Sequence, residues 1–241
     1  EVGRDDLALQ LTDPRCTVGS VLPGGRAFAL FQTWLQRLTA FLASLQDEKG
    51  QPIPFIFRPW HENNGNWFWW GQNLCSDAEY HALWDMTQDF VSQTLPDNIV
   101  WSFSPGMTGS WTREAWLKRY PGDDRVDLIG VDAYQYGTRE AYTQTLSTDL
   151  DLLQAICQER GKLLAITECG YTNQPDPTWW SEVLRPIVEK YPICYFLPWR
   201  NAEHEHFGPS PKAKTAEDFK AWAKDKRLLF AKEIKRIKGC E

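Results

Sequence analysis

Apolar runs of strand length recur five times along the chain: Pro54 to Trp60, Ile99 to Phe103, Val126 to Tyr134, Leu163 to Thr167 and Ile193 to Trp199. Each is followed by a segment in which apolar positions return at helical spacing. After the first run, Tyr80, Leu83, Trp84, Thr87, Phe90 and Val91 fall on one face, with Asp77 as the expected N-cap. After the third, Tyr142, Leu146, Leu150, Leu153 and Ile156 do the same, and Gly161 supplies a stop signal. The segment after the second run is short, Pro186 interrupts the one after the fourth, and the last runs from near Thr215 towards Lys238 in two pieces. One further amphipathic helix precedes the first run, with Phe28, Phe31, Leu35, Leu38, Phe41, Leu42 and Leu45 on its apolar face. It is entered after Pro23-Gly24-Gly25, behind an irregular stretch.

Continuous apolar strands alternating with helices predict a parallel sheet covered by helices, an α/β fold. The polar groups at the ends of the runs choose between an open sheet and a barrel. Arg58-Pro59-Trp60-His61-Glu62, Ser102-Phe103-Ser104-Pro105, Asp132-Ala133-Tyr134-Gln135, Thr167-Glu168 and Trp199-Arg200-Asn201 all stand at strand C-termini. Strand C-termini converge on the active face of a (β/α)₈ barrel. An open sheet gathers its ligand groups at one switch point, usually with a glycine-rich turn, and no such turn follows these runs.

The length of 241 residues allows one domain with a substantial core, and no linker or repeat divides it. A net charge of -6 disfavours nucleic acid, because phosphate binding needs a concentrated basic face. The lysines and arginines near the C-terminus alternate with acids and read as a solvated helix face. No window approaches the ~20 apolar residues of a membrane span, and the first residues do not read as a signal peptide. The six cysteines lack CxxC spacing, so no zinc site is expected. His204-Glu205-His206 lacks a third ligand in view and reads as loop chemistry. The 13 tryptophans do change the picture, since flat amphipathic rings suit a site that recognises its ligand by stacking.

Chemistry concentrates in Phe57-Arg58-Pro59-Trp60-His61-Glu62-Asn63-Asn64-Gly65-Asn66-Trp67-Phe68-Trp69-Trp70-Gly71. A strand-end glutamate among aromatic rings is placed to have its pKa raised and to act as an acid. His61-Glu62 opens like the HExxH of zinc peptidases, but Gly65 stands where the second histidine belongs and the segment continues a strand. The second carboxylate, Glu168, ends the run Leu163-Leu164-Ala165-Ile166-Thr167. A charge there is costly unless it lines a wet cleft or meets a cation. Cleavage of a glycosidic bond needs two carboxyl groups flanking it, and Glu62 with Glu168 fit that demand.

The segment Arg58-Pro59-Trp60-His61-Glu62-Asn63 with Trp67-Phe68-Trp69-Trp70-Gly71 resembles glycoside hydrolase family 26, best known for β-mannanases. Gly130-Val131-Asp132-Ala133-Tyr134-Gln135, Ile166-Thr167-Glu168-Cys169-Gly170 and Trp199-Arg200-Asn201-Ala202 support it. The resemblance implies a (β/α)₈ barrel with a general acid/base ending the fourth strand, matched by Glu62, and a nucleophile ending the seventh, matched by Glu168. His61, Trp67, Tyr134 and Trp199 match residues lining the sugar subsites, Arg58 supports the carboxylates, and Phe103 is the weakest match. The implied reaction is retaining hydrolysis of internal β-1,4 bonds in mannan, glucomannan or galactomannan, without cofactor or metal. The alternatives are the same scaffold acting on lichenan or β-1,3-xylan, and an inactive carbohydrate-binding remnant. A polymeric substrate implies a secreted or cell-surface protein. By the family's strand count, three strands should precede Pro54, yet only 27 irregular residues precede the Phe28 helix. The expectation is therefore one catalytic domain over 1–241 that lacks its first three strands, which belong to a longer natural chain.

Overall fold

The structure is a computed structural model and describes residues 16–95 and 97–237. Within them lie five strands: β1 (Phe55–Phe57), β2 (Ile99–Phe103), β3 (Leu128–Gln135), β4 (Leu163–Tyr171) and β5 (Ile193–Pro198). They form one sheet in chain order, and every neighbouring pair is parallel. Parallel neighbours need a crossover. Helices supply it after β1 (α3, Asp77–Ser92), β2 (α4, Arg113–Leu117) and β3 (α5, Arg139–Arg160). After β4 the chain makes a π-helical turn over Trp180–Leu184 that runs into α6 (Arg185–Lys190), with Pro186 in its first turn, where a missing N–H costs nothing. Before β1 stand α1 (Thr17–Val21) and α2 (Phe28–Ala43), and after β5 come α7 (Ala216–Trp222) and α8 (Ala231–Ile237).

Five strands, one by one, therefore match the five runs, and the sheet is a partial barrel of the (β/α)₈ type. The runs and the strands differ at their ends. β1 stops at Phe57, so Arg58 to Glu62 lie in a turn rather than a strand, and Trp60 (φ 53°) and Glu62 (φ 50°) take left-handed backbone angles. β4 instead continues through Glu168 to Tyr171. Among the described residues before Phe28 lies α1, a short helix with all but one of its residues buried. Lys238 and Cys240 lie outside the described residues.

Capping corrects one expectation. The N-cap of α3 is Ser76, not Asp77: its hydroxyl accepts from the Glu79 N–H, and the Glu79 carboxylate accepts from the Ser76 N–H, a reciprocal box that Asp77 follows as the first helical residue. At the end of α5, Gly161 takes φ 64°, the left-handed stop that a side chain would resist.

The core lies between sheet and helices. β3 and β4 are buried on both faces, and Leu146, Leu150, Leu153 and Ile156 of α5 pack there, each contributing about 1.5–3 kcal/mol by leaving water. Trp84 and Trp101 are buried as core residues. In α2, Phe31, Leu35 and Leu42 are buried, whereas Phe41 is 61% exposed and does not belong to the inner face. The described cysteines are free thiols.

Candidate active site

The parallel register aims the strand ends at one place. β3 and β4 pair regularly to Val131↔Ile166, then shift so that Asp132 stands opposite Glu168 rather than Thr167. A bulge of this kind re-aims a side chain, and it brings two acids to the same end of the sheet. Gly130 leaves room for it: a Cβ there would fall within 2.3–2.5 Å of the Thr167 side chain. The Thr167 hydroxyl is thereby free to donate to Asp132 Oδ1 at 2.6 Å.

Glu168 is buried and held from two sides. Arg58 Nη2 donates to Oε1, and the Tyr134 hydroxyl donates to Oε2 at 2.5 Å. Through Nη1 the same guanidinium serves Asp132 Oδ2 at 2.7 Å and Ser104 Oγ at 2.9 Å. One cation is thus shared between two buried acids, and at Asp132 it opposes the upward push on the pKa that burial imposes. Burial and the bond to Glu168 push the Tyr134 phenol above its usual range, so it remains a donor. His61 Nε2 lies 4.0 Å from Glu168 Oε1. Burial, reinforced by the Arg58 charge, lowers its pKa to about 3, which leaves the imidazole neutral at ordinary pH. His61, Asp132 and Glu168 offer ligand atoms within 4.8 Å of one another, but Arg58 already supplies the positive charge between the two acids.

Glu62 is differently placed. Its N–H donates to the Ser104 carbonyl at 2.8 Å, and the turn closes with Gly65 N donating to Glu62 O at 3.0 Å. Its carboxylate accepts a hydrogen bond from the Trp67 indole N–H at 2.7 Å. Burial pushes its pKa up, the Trp67 bond opposes that, the Glu168 charge adds to the rise, and Arg58 opposes it. The two glutamates therefore sit within each other's field, one with a raised proton affinity, the other clamped by donors.

The aromatic segment divides by role. Trp60 and Trp69 pack with Phe31 against the helices, and Phe68 stacks on Trp70 with ring centres 4.4 Å apart. His61 rests on Phe68 at 4.8 Å, and the Trp70 N–H holds the His61 carbonyl at 2.7 Å. Trp67 is 51% exposed, and Trp199 is half-buried just past β5, its backbone N–H donating to the Cys169 carbonyl. Phe103, expected among the sugar contacts, is 1% exposed and packs on Trp84, Trp116 and Tyr120, supporting the strand end from the core. His204, Glu205 and His206 are exposed in a loop.

Sequence reasoning left Ser104 and Asp132 without a role, although both stood in strand-end motifs. Tyr136, 86% exposed with its ring 6.4 Å from Tyr134, was also missed. A large aromatic two residues beyond Tyr134 was the available signal.

Parallel strands with two glutamates, a shared arginine and aromatic rings at their C-terminal ends define a (β/α)₈-type protein with a paired-carboxylate cleft. The sequence profile of Glycosyl hydrolase family 26 matches residues 19–226. A mannan endo-1,4-beta-mannosidase of Bifidobacterium adolescentis is 30% identical, over 91% of this chain and 24% of its own. One from Bacillus subtilis is 32% identical, over 69% of this chain and 45% of its own. Among solved structures, a family 26 beta-mannanase from Bacteroides ovatus superposes with a TM-score of 0.87 at 40% identity, over 92% of this chain and 64% of that one. The chain belongs to glycosyl hydrolase family 26. It spans a quarter to just under half of these two curated relatives, and about two thirds of the Bacteroides structure.

Proposed function

We propose that this chain carries the catalytic face of a retaining endo-β-1,4-mannanase, with Glu168 as nucleophile and Glu62 as general acid/base. The observation that carries the reading is the asymmetry of the two glutamates. Glu168 is fixed by Arg58 and Tyr134, which suits an ionised group that must attack carbon. Glu62 has a raised proton affinity, which suits a group that must arrive protonated.

In the first step Glu168 attacks the anomeric carbon while Glu62 gives its proton to the departing glycosidic oxygen. In the second, water attacks that carbon, Glu62 takes the water's proton, and Glu168 is released. Arg58 and Tyr134 keep Glu168 oriented through both steps. Neutral His61, the exposed ring of Trp67 and the ring of Trp199 are the proposed sugar contacts. Mannan is the substrate by the relatives' names, and Arg58, His61, Glu62, Trp67, Tyr134, Glu168 and Trp199 are the residues supporting it. Among the described residues no helix is long and apolar enough to cross a membrane. A polymeric substrate supports a location outside the cell or on its surface.

The test is release of reducing sugar from mannan, glucomannan, galactomannan, lichenan and β-1,3-xylan, with Glu168→Ala as blank. Activity confined to the mannans supports the proposal. Equal activity on lichenan or xylan would reassign the substrate, and binding without turnover would make the protein a carbohydrate-binding remnant.

A further inference from the structure

Trp67 enters the proposed function as a sugar contact, yet its polar atom is turned to the acid/base. The indole N–H lies 2.7 Å from Glu62 Oε2. An indole is a donor only, so the carboxyl oxygen it touches must serve as an acceptor in either protonation state. The two oxygens of Glu62 are thereby made unequal. The ring is aimed from below by Gly65: a Cβ at that position would fall 2.2–2.5 Å from Cη2, Cζ3 and Cζ2 of the indole, so only a glycine lets the ring lie there. Gly65 is itself fixed in the turn by its N–H on the Glu62 carbonyl and by its carbonyl accepting from Gln72 N. The left-handed φ of 50° at Glu62 belongs to the same turn.

We propose that Trp67 is the positioning residue of the acid/base: it commits Glu62 Oε2 as an acceptor, so the proton exchanged in catalysis rides on Oε1, and Gly65 is the floor that aims the ring. The inference rests on the reading of Glu62 as acid/base. In glycosylation, the Oε1–H proton passes to the glycosidic oxygen as the C–O bond breaks and Glu168 bonds to carbon. Glu62 is left as a carboxylate, the form that the Trp67 N–H stabilises. In the second step Oε1 takes a proton from water as water bonds to carbon and the Glu168–carbon bond breaks.

Other groups also set the proton affinity of Glu62. Glu168 from β4 raises it and Arg58, just past β1, lowers it. Asp132 and Tyr134 on β3 and Tyr136 just beyond it lie within its field. None of these charged groups and phenols is altered by changes at positions 65 and 67; burial also raises the affinity, and Trp67→Phe keeps most of the ring's cover while removing the indole bond.

Trp67→Phe keeps a ring face for stacking and removes the donor. The Glu62 carboxyl should then hold its proton to higher pH, moving the alkaline limb of kcat/KM on manno-oligosaccharide upward by about one pH unit. Gly65→Ala, which displaces the ring while leaving its N–H, should move the limb the same way, and the double variant should move it no further. Titration of the Glu62 carboxyl by ¹³C NMR, assigned by its loss in Glu62→Gln, reads the same shift without turnover. A raised carboxyl in a protein that cleaves no mannan would sink the mannanase reading and leave this coupling standing. Unmoved limb and unmoved carboxyl in Trp67→Phe, with only KM changed, would overturn the proposal and make Trp67 a stacking contact.

Discussion

Replacing Arg58 by Met tests whether the site is held by one shared cation. Methionine keeps much of the apolar stem and removes the guanidinium that bonds Asp132, Glu168 and Ser104. Both acid side chains are almost wholly out of water, so the variant leaves two buried carboxyl groups without their counter-ion. Breaking a buried pair by removing one partner costs about 3–5 kcal/mol, a large part of the 5–15 kcal/mol that a typical domain has. In a chain of this size that is a fall in Tm on the order of 10 °C. The loss should depend on pH in a definite direction. Burial raises the Asp132 carboxyl well above its ordinary range and the Arg58 charge opposes that rise, so without Arg58 folded Asp132 holds its proton still more tightly than unfolded Asp132, whose pKa is about 4. Its contribution to stability is then present below that pKa and fades as pH rises. The deficit against wild type is therefore largest at pH 7–8 and shrinks towards pH 4. Urea unfolding of both proteins across that range measures it. A deficit under about 1 kcal/mol at pH 7, or one independent of pH, would show that the acids are not held by Arg58.

Further outcomes follow from the same geometry. Glu62→Ala should retain the first step on mannosides with very good leaving groups, which need little proton donation, whereas Glu168→Ala should lose turnover of every substrate; stopped-flow release of dinitrophenol compares them. His61 has a folded pKa of about 3 against 6.5 unfolded, so the unfolded chain binds more protons between these values. Stability should fall as pH drops from 6.5 towards 3, by up to about 1.4 kcal/mol per unit, and His61→Asn should flatten that slope. A crystal structure should place the Glu62 and Glu168 carboxyl groups about 5–5.5 Å apart, the retaining spacing; the wider inverting range of roughly 6.5–9.5 Å would contradict the mechanism.

The strands were legible because a parallel strand buried on both faces is an unbroken apolar run, as Leu128 to Val131 and Leu163 to Ile166 are. As candidates, Glu168 stood out because it directly follows such a run, and Glu62 because it is an acid among aromatic rings just past one. What the runs could not convey was where backbone geometry departs from period. The turn that gives Trp60 and Glu62 positive φ is set by tertiary partners such as Ser104, and the bulge opposite Asp132 depends on Gly130 accepting Thr167. Phe103 entered only as the weakest family match, on a short motif, and in the fold alternation turns it to the helices and the serine after it to Arg58. Ser76 was passed over for its neighbour because both are good caps, and only the reach of Glu79 decides between them.

The central claim, that Glu168 attacks the sugar and forms a covalent intermediate, is tested most directly by trapping. A 2-deoxy-2-fluoro-β-mannobioside with a dinitrophenyl leaving group slows both steps but leaves departure fast, so the intermediate should accumulate. Intact-mass measurement followed by peptide mapping should find one fluoromannobiosyl group per molecule, attached at Glu168 and absent in Glu168→Ala. Label on Glu62, or none in a protein that still cleaves mannan, would contradict it.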